Sequence, residues 1–287
     1  MSSSIASVPQ SAATPKARSI RWSKWALIGV ALLYLLLILF IPTVNVFVQA
    51  FNRGVGPFLH NLSERSFVHA AKLTLIIALI VVPLNTIFGL CAAWVIARNR
   101  FRGRTLLISL LDVPFAVSPV VAGLMIILLY GRVGWFGPFL RSIDVQIVFA
   151  TPAMVLASAF ISLPFVAREV IPVLEEAGTD QEEAARILGA SDWQTFWRVT
   201  LPNIRWGLLY GVILTNARVM GEFGAVSVVS GNIAGKTQTL PLFVEEAYKQ
   251  YETQAAFSAA VLLALLAVVT LIFKTILENK TRIKEVE

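Results

Sequence analysis

Two ionisable side chains stand where charge is most expensive. Arg218 and Glu222 lie inside an otherwise uncharged run from Trp206 to Gly235, four residues apart and so on one face of a helix. A charge at the centre of a membrane costs roughly 2.5–3.5 kcal/mol on insertion scales, so such residues face protein or water rather than lipid. Two chemistries suit them. One is a structural ion pair that pins the run to its neighbours, with Asp112 as a second acid for Arg218. The other is charge compensation for an anion, in which Arg218 supplies positive potential along a path and Glu222 holds or gates it. Asp112 opens the stretch Asp112-Val-Pro-Phe-Ala-Val-Ser-Pro-Val-Val-Ala-Gly123. Its two prolines break helical hydrogen bonds and free carbonyls, which a membrane tolerates only against protein or a water-filled path. Ser118 and Asn216 join Asp112, Arg218 and Glu222 as the polar groups that could line such a path.

Other chemistries lack their residues. Ser230 to Thr237 reads Ser-Gly-Asn-Ile-Ala-Gly-Lys-Thr, like a phosphate-binding loop, but three residues rather than four separate Gly231 from Gly235 and no strand precedes it. No Gly-x-Ser-x-Gly elbow, no His-Glu-x-x-His and no defensible Ser-His-Asp set is present. His60 and His69 have no further ligands at metal-binding spacing. The single cysteine, Cys91, excludes an intrachain disulfide and reads as a small packing residue. No catalytic site and no bound cofactor are expected of this chain.

The elements that must position the charged residues are membrane spans. The chain has 287 residues, 57% of them hydrophobic and 14% charged, where soluble domains carry about a quarter charged. Its net charge of +7 is dispersed in short clusters between apolar runs, which argues against nucleic-acid binding. Residues 1–24 are Ser-, Ala- and Pro-rich at first, then basic, and read as a disordered tail. The uncharged run 25–52 is too long for a signal-peptide core of roughly 7–15 residues and reads as an uncleaved first span. Five more stretches approach the ~20 apolar residues that a span needs: Leu73–Ala97, a stretch from about Thr105 to Gly131, Val145–Ala167, Trp206–Gly235 and Thr253–Phe273. The expected fold is all-α, with six transmembrane helices and a core domain over 68–277. With the N-terminus inside, sixteen Lys and Arg fall on cytoplasmic segments and seven outside. Both termini, including the tail 278–287, are expected in the cytoplasm of a bacterial inner membrane, as is the loop 172–205. Gly207 and Gly211 have the small-xxx-small spacing that lets helices approach closely, but the pair alone reads as ordinary packing.

That loop holds a polar, mixed-charge insert, Gln181 to Pro202, which reads as two short helices. Glu182 to Leu188 holds strong helix formers, and Gly189 can take a backbone angle that closes a helix. Ser191 is placed to cap a second helix with Asp192 in its first turn. Trp193, Phe196 and Trp197 share one face of it, and Pro202 is expected to limit its extension. So much aromatic surface calls for a covering partner.

The insert resembles the coupling loop of permease subunits of binding-protein-dependent ABC importers, with Glu183, Ala184, Ala185, Gly189, Val199, Leu201 and Pro202 at the family's spacing. Only Val199, where isoleucine is commoner, departs. Asn216 to Asn232, with Arg218, Gly221, Glu222, Phe223, Gly224 and Ala225, is similar to the fifth core helix of the sulfate and molybdate branch. Leu111 to Gly123 and Thr200 to Trp206 resemble more narrowly the W-type subunits of sulfate and thiosulfate permeases. The resemblance implies the type I ABC importer permease (MetI-like) fold and a coupling role for Glu183, Ala184, Ala185, Gly189, Leu201 and Pro202. It also implies four kinds of partner: a second homologous permease subunit, an ATPase dimer that holds ATP and Mg²⁺, an outer solute-binding protein, and sulfate or thiosulfate. Molybdate or tungstate is the alternative cargo. An ion-coupled secondary transporter, using Asp112 and Glu222, is the alternative class.

Overall fold

The computed structural model describes residues 20–284, so the expected tail up to residue 19 lies outside the described residues. Every regular element among them is helical. The chain divides between Val46 and Phe47 into two compact units.

The first unit is one helical run. It comprises α1 (Ile20–Leu35), a wide π turn (Leu36–Phe40) and the start of α2 (Ile41–Phe51). Helix therefore begins before the predicted start at Trp25. The side chains of Leu32 to Ile41 are exposed aliphatics and aromatics, the pattern of a surface whose solvent is lipid.

In the second unit α3 (Val55–Ser63) precedes the 34-residue α4 (Arg65–Arg98). At about 1.5 Å per residue α4 overshoots a ~30 Å hydrocarbon core. The third predicted span is two helices, α5 (Arg104–Ala116) and α6 (Pro119–Tyr130), bent by 106° at Val117 and Ser118. Pro119 has no N–H, so it opens a helix more easily than it continues one. A short α7 (Gly137–Ser142) follows.

The fourth span begins later than Val145. Residues 145–150 are not helical, and Phe149 donates its N–H to Val229 O at 2.9 Å. Helix starts at α8 (Thr151–Ser162) and continues through α9 (Pro164–Ala177), which carries Arg168 and Glu169 into the spanning helix. Next come α10 (Asp180–Ile187), α11 (Asp192–Thr195), a π turn (Phe196–Thr200) and α12 (Leu201–Met220). The fifth span is also broken: α12 and α13 (Gly224–Ser230) meet at 50°. The chain ends in α14 (Leu240–Lys249) and α15 (Thr253–Lys284). The six expected spans thus fall on three long apolar helices, two bent pairs and the apolar stretch Thr253–Val269 of α15.

Pro202 does not stop the second loop helix. The π turn carries the Leu201 N–H to Phe196 O, and the donorless proline then sits in the first turn of α12, where no N–H is needed. The broken fifth span packs through α13 into one apolar core with α4, α6, α8 and α14: Ile77, Val81, Ile126, Met154, Val226 and Leu242 are all buried there. A second core joins α4, α9 and α12 through Ala93, Val166, Val170 and Ile204. Here the glycines matter. A Cβ on Gly211 would lie 2.9 Å from Val166 Cα, and one on Gly207 2.8 Å from Val173 Cγ2. The small-xxx-small spacing is therefore where α12 closes on α9.

Candidate functional site

The loop between α9 and α12 is built as a rigid knuckle. Asp180, Glu182 and Glu183 fill the first turn of α10, where carboxylates favour the helix dipole. Gly189 ends it with φ +88°, in the left-handed region. Ala190 N–H reaches back to Ala185 O at 3.0 Å and Gly189 N–H to Arg186 O at 2.9 Å, which satisfies carbonyls that a helix end leaves free. Ser191 then caps α11. Gln194 N–H donates to Ser191 Oγ at 3.3 Å and Ser191 N–H to Gln194 Oε1 at 3.0 Å, a complete capping box. Arg186 and Asp192 pair across the turn at 3.0 Å.

What ties the knuckle to the membrane helices is a residue outside the seven matched positions. Glu182 is 5% exposed. Arg98, at the end of α4, donates Nη2 to its Oε1 at 2.8 Å and Nε to its Oε2 at 3.1 Å. Arg98 Nη1 also donates to Leu174 O at 2.6 Å, and Thr200 Oγ1 donates to Glu182 Oε1 at 2.8 Å. The Glu182 carboxylate thus joins α10 to α4 and to the π turn before α12, and Arg98 extends the link to α9. Charge-assisted, two-pronged contacts of this kind fix geometry as well as distance. Nearby, Arg104 pairs with Glu175, and Trp94 meets Phe196 edge-on at 5.6 Å.

The outer face of the knuckle is uncovered. Glu183 accepts from Thr179 Oγ1 at 2.8 Å and is exposed, as is Ala184, while Ala185 is half-buried. Ile187 and Leu188 are 85% and 87% exposed. Trp193 and Trp197 are exposed beside them and touch edge-on at 5.5 Å. A Cβ at Gly189 would meet nothing within 4 Å. Behind this face Val199 and Leu201 are half-buried and Pro202 is exposed, so the end of the matched stretch carries the knuckle into α12.

The membrane charges fall into two sets. Arg218 Nη1 stands 2.6 Å from Glu222 Oε2. Glu222 is 3% exposed, and its Oε1 accepts the Ala225 N–H at 2.9 Å, across the break between α12 and α13. Asn216 lies one turn before the break and donates to Met220 Sδ at 3.5 Å. Ser118 lies at the neighbouring break of the third span, and the two breaks abut: a Cβ on Gly224 would lie 2.8 Å from Pro119 Cβ. Asp112 does not serve Arg218 as a second acid. It accepts from Arg168 Nε at 2.9 Å, and Arg168 also stacks over Phe115 at 4.7 Å. The expectation assumed that Asp112 and Arg218 share one site, but α9 reaches far enough to give Asp112 its own partner. The Arg168 partnership had no signal in the sequence, because the predicted span stopped at Ala167.

Broken spans that hold charge, joined to an anchored loop with an exposed apolar face, are the features of a polytopic membrane permease. Residues 85–283 match the profile of the family described as "binding-protein-dependent transport system inner membrane component", and the chain belongs to that family. The sulfate transport system permease protein CysW of Synechocystis sp. is 66% identical over 258 residues, which cover 90% of this chain and 94% of the relative. CysW of Escherichia coli (strain K12) is 53% identical, with 91% and 90% covered. CysT of Escherichia coli (strain K12), a sulfate transport system permease protein, is 40% identical, with 83% and 86% covered. Among solved structures, one chain of a bacterial alginate ABC transporter in complex with alginate pentasaccharide-bound periplasmic protein shares the fold. It has a TM-score of 0.74 at 17% identity, with 88% of this chain and 92% of that chain covered.

Proposed function

We propose that this chain is a transmembrane subunit of an ATP-driven importer of sulfate and thiosulfate. The observation that carries the coupling role is the knuckle itself. Its inner side is fixed to α4, α9 and the turn before α12 through Glu182 and Arg98, and its outer side presents Gly189, Ile187, Leu188 and Trp193 exposed. An apolar face of this size in a polar loop suits a partner that moves it. In this reading Glu183, Ala184, Ala185 and Gly189 dock on an ATPase dimer, and Leu201 and Pro202 pass the movement into α12. ATP and Mg²⁺ are held by the ATPase, not by this chain. The termini and the knuckle are cytoplasmic, on the Lys and Arg bias.

The cargo follows from the relatives named for sulfate transport, of which this chain covers nearly the full length. The occurrence of both CysW and CysT among them supports pairing with a homologous second permease subunit. A solute-binding protein delivers the anion from outside, and the cargo need only bind the outward- and inward-open states differently to be coupled to them. In this reading the anion's path runs past the abutting breaks, with Arg218 and Glu222 at one and Ser118 at the other and Asn216 a turn before the first, where freed backbone and one cation suit a dianion. Glu222 also clamps the Ala225 N–H, so its carboxylate has a structural duty whatever Arg218 does. Asp112 belongs to the path only together with Arg168, as a neutralised pair.

The driving force separates this reading from an ion-coupled carrier. Pulled from membranes by a tag on this chain, the assembly is expected to contain an ATPase. Its ATP hydrolysis should rise when sulfate-loaded binding protein is added. Sulfate transport by the chain without any associated ATPase would overturn the proposal in favour of the carrier.

A further inference from the structure

Behind the break of the fifth span lies a cavity of about 10 Å³. It lies among Thr74 of α4, Ser158 of α8, Glu222 at the break and Thr239 just before α14. Three buried polar atoms there have no hydrogen-bond partner: Ser158 Oγ, Thr239 Oγ1 and Glu222 Oε2. Their residues are 1%, 3% and 3% exposed. Arg218 stands near the Glu222 oxygen at 2.6 Å, but at an angle outside hydrogen-bonding geometry. Thr74 is already engaged, donating to Ala70 O at 2.9 Å and accepting the Leu240 N–H at 2.9 Å. Ile77 and Val226 complete the wall.

Buried polar groups are almost always satisfied, and three orphans around one small space call for a common partner. A water needs roughly 10–15 Å³ and two to four polar neighbours, typically three. We infer that this cavity holds one structural water that donates to Glu222 and hydrogen-bonds the hydroxyls of Ser158 and Thr239. The donor and acceptor inventory closes, because the carboxylate only accepts while each hydroxyl can donate to the water's lone pairs or accept from its second hydrogen. A cation such as Na⁺ fits less well, since the Arg218 guanidinium already neutralises the only acid in the wall. The water therefore links the break that carries Glu222 to α8 and to the entry of α14.

The sign of a stability change tests the inference. In a dry cavity an orphan hydroxyl only costs desolvation, so removing it stabilises the fold; around a bound water its removal strands that water's other partners. Thr239→Val, close in shape and outside any helix, and the double variant Ser158→Ala/Thr239→Val are prepared in the full-length chain within its detergent-solubilised assembly. Both are expected to melt below wild type, and a density map fine enough to show ordered water is expected to hold one peak between Ser158, Thr239 and Glu222. Melting at or above wild type, or an empty cavity in such a map, overturns the assignment. So does a wild-type melting temperature that rises when choline is exchanged for Na⁺ and ceases to do so in the variants, because the occupant would then be the ion.

Discussion

Replacing Gly189 with valine is expected to abolish sulfate uptake while leaving the chain in the membrane at its normal level. The residue sits at φ +88°, which costs a side chain with a Cβ about 1–2 kcal/mol, and a β-branched one the more. Within this chain the space is open: a Cβ there meets nothing within 4 Å. Valine therefore acts in two ways, by twisting the link between α10 and α11 and by adding bulk on the uncovered face. Asparagine, which tolerates the left-handed region, separates them. If Gly189→Asn keeps much of the uptake that Gly189→Val loses, backbone strain dominates. If both lose it, close approach by the partner dominates. Labelled-sulfate uptake read beside the amount of chain in the membrane decides this, and normal uptake in Gly189→Val would remove the knuckle from the coupling path.

The second large effect is expected at a pair of residues 84 apart in sequence. The Arg98 side chain is 9% exposed, and Glu182→Ala removes its carboxylate partner. Removing one partner of a buried ion pair costs about 3–5 kcal/mol, far more than an exposed pair is worth. The loss falls where α4, α9 and the turn before α12 are joined, so the knuckle loosens before the bundle does. Limited proteolysis is expected to nick the Glu182→Ala chain between residues 178 and 200 at protease levels that leave wild type intact. The melting temperature should fall as well. Glu182→Gln, which keeps an oxygen for Arg98 and Thr200, is expected to lie between the two. Unchanged proteolysis in Glu182→Ala would mean that the contact does not hold the loop.

These two residues also mark how far the sequence could be read. Gly189 and Ser191 were legible because local chemistry determines them: a glycine that closes a helix and a serine that caps the next need no distant partner. Gly207 and Gly211 had the spacing of a close approach but read as ordinary packing, because the spacing alone names no partner, and α9 was not among the neighbours it could identify. Arg98 and Glu182 were illegible as a pair, since nothing local ties the last residue of α4 to an acid in α10. Pro202 misled for a related reason. A proline predicts a helix boundary only if the hydrogen-bond register stays α-helical, and the π turn before it shifts that register. α14 was read only as part of an outer segment. Leu240, Phe243 and Ala247 have the i, i+3, i+7 spacing of a buried face, and all three are buried. That periodicity could have revealed the helix between the last two predicted spans. The bend at Ser118 was foreshadowed by Pro114 and Pro119. Its abutment on Gly224, which sets the break of the third span against that of the fifth, depends on packing that no local pattern encodes.

The proposed role is inward carriage of sulfate and thiosulfate by an ATP-driven assembly that contains this chain. It is tested most directly by the uptake of labelled sulfate, thiosulfate and molybdate in otherwise identical cells with and without the chain. Cells that contain it are expected to accumulate sulfate and thiosulfate, each suppressing uptake of the other, and cells without it are expected to lose both. Equal sulfate uptake in the two strains, or a difference confined to molybdate, would contradict the account.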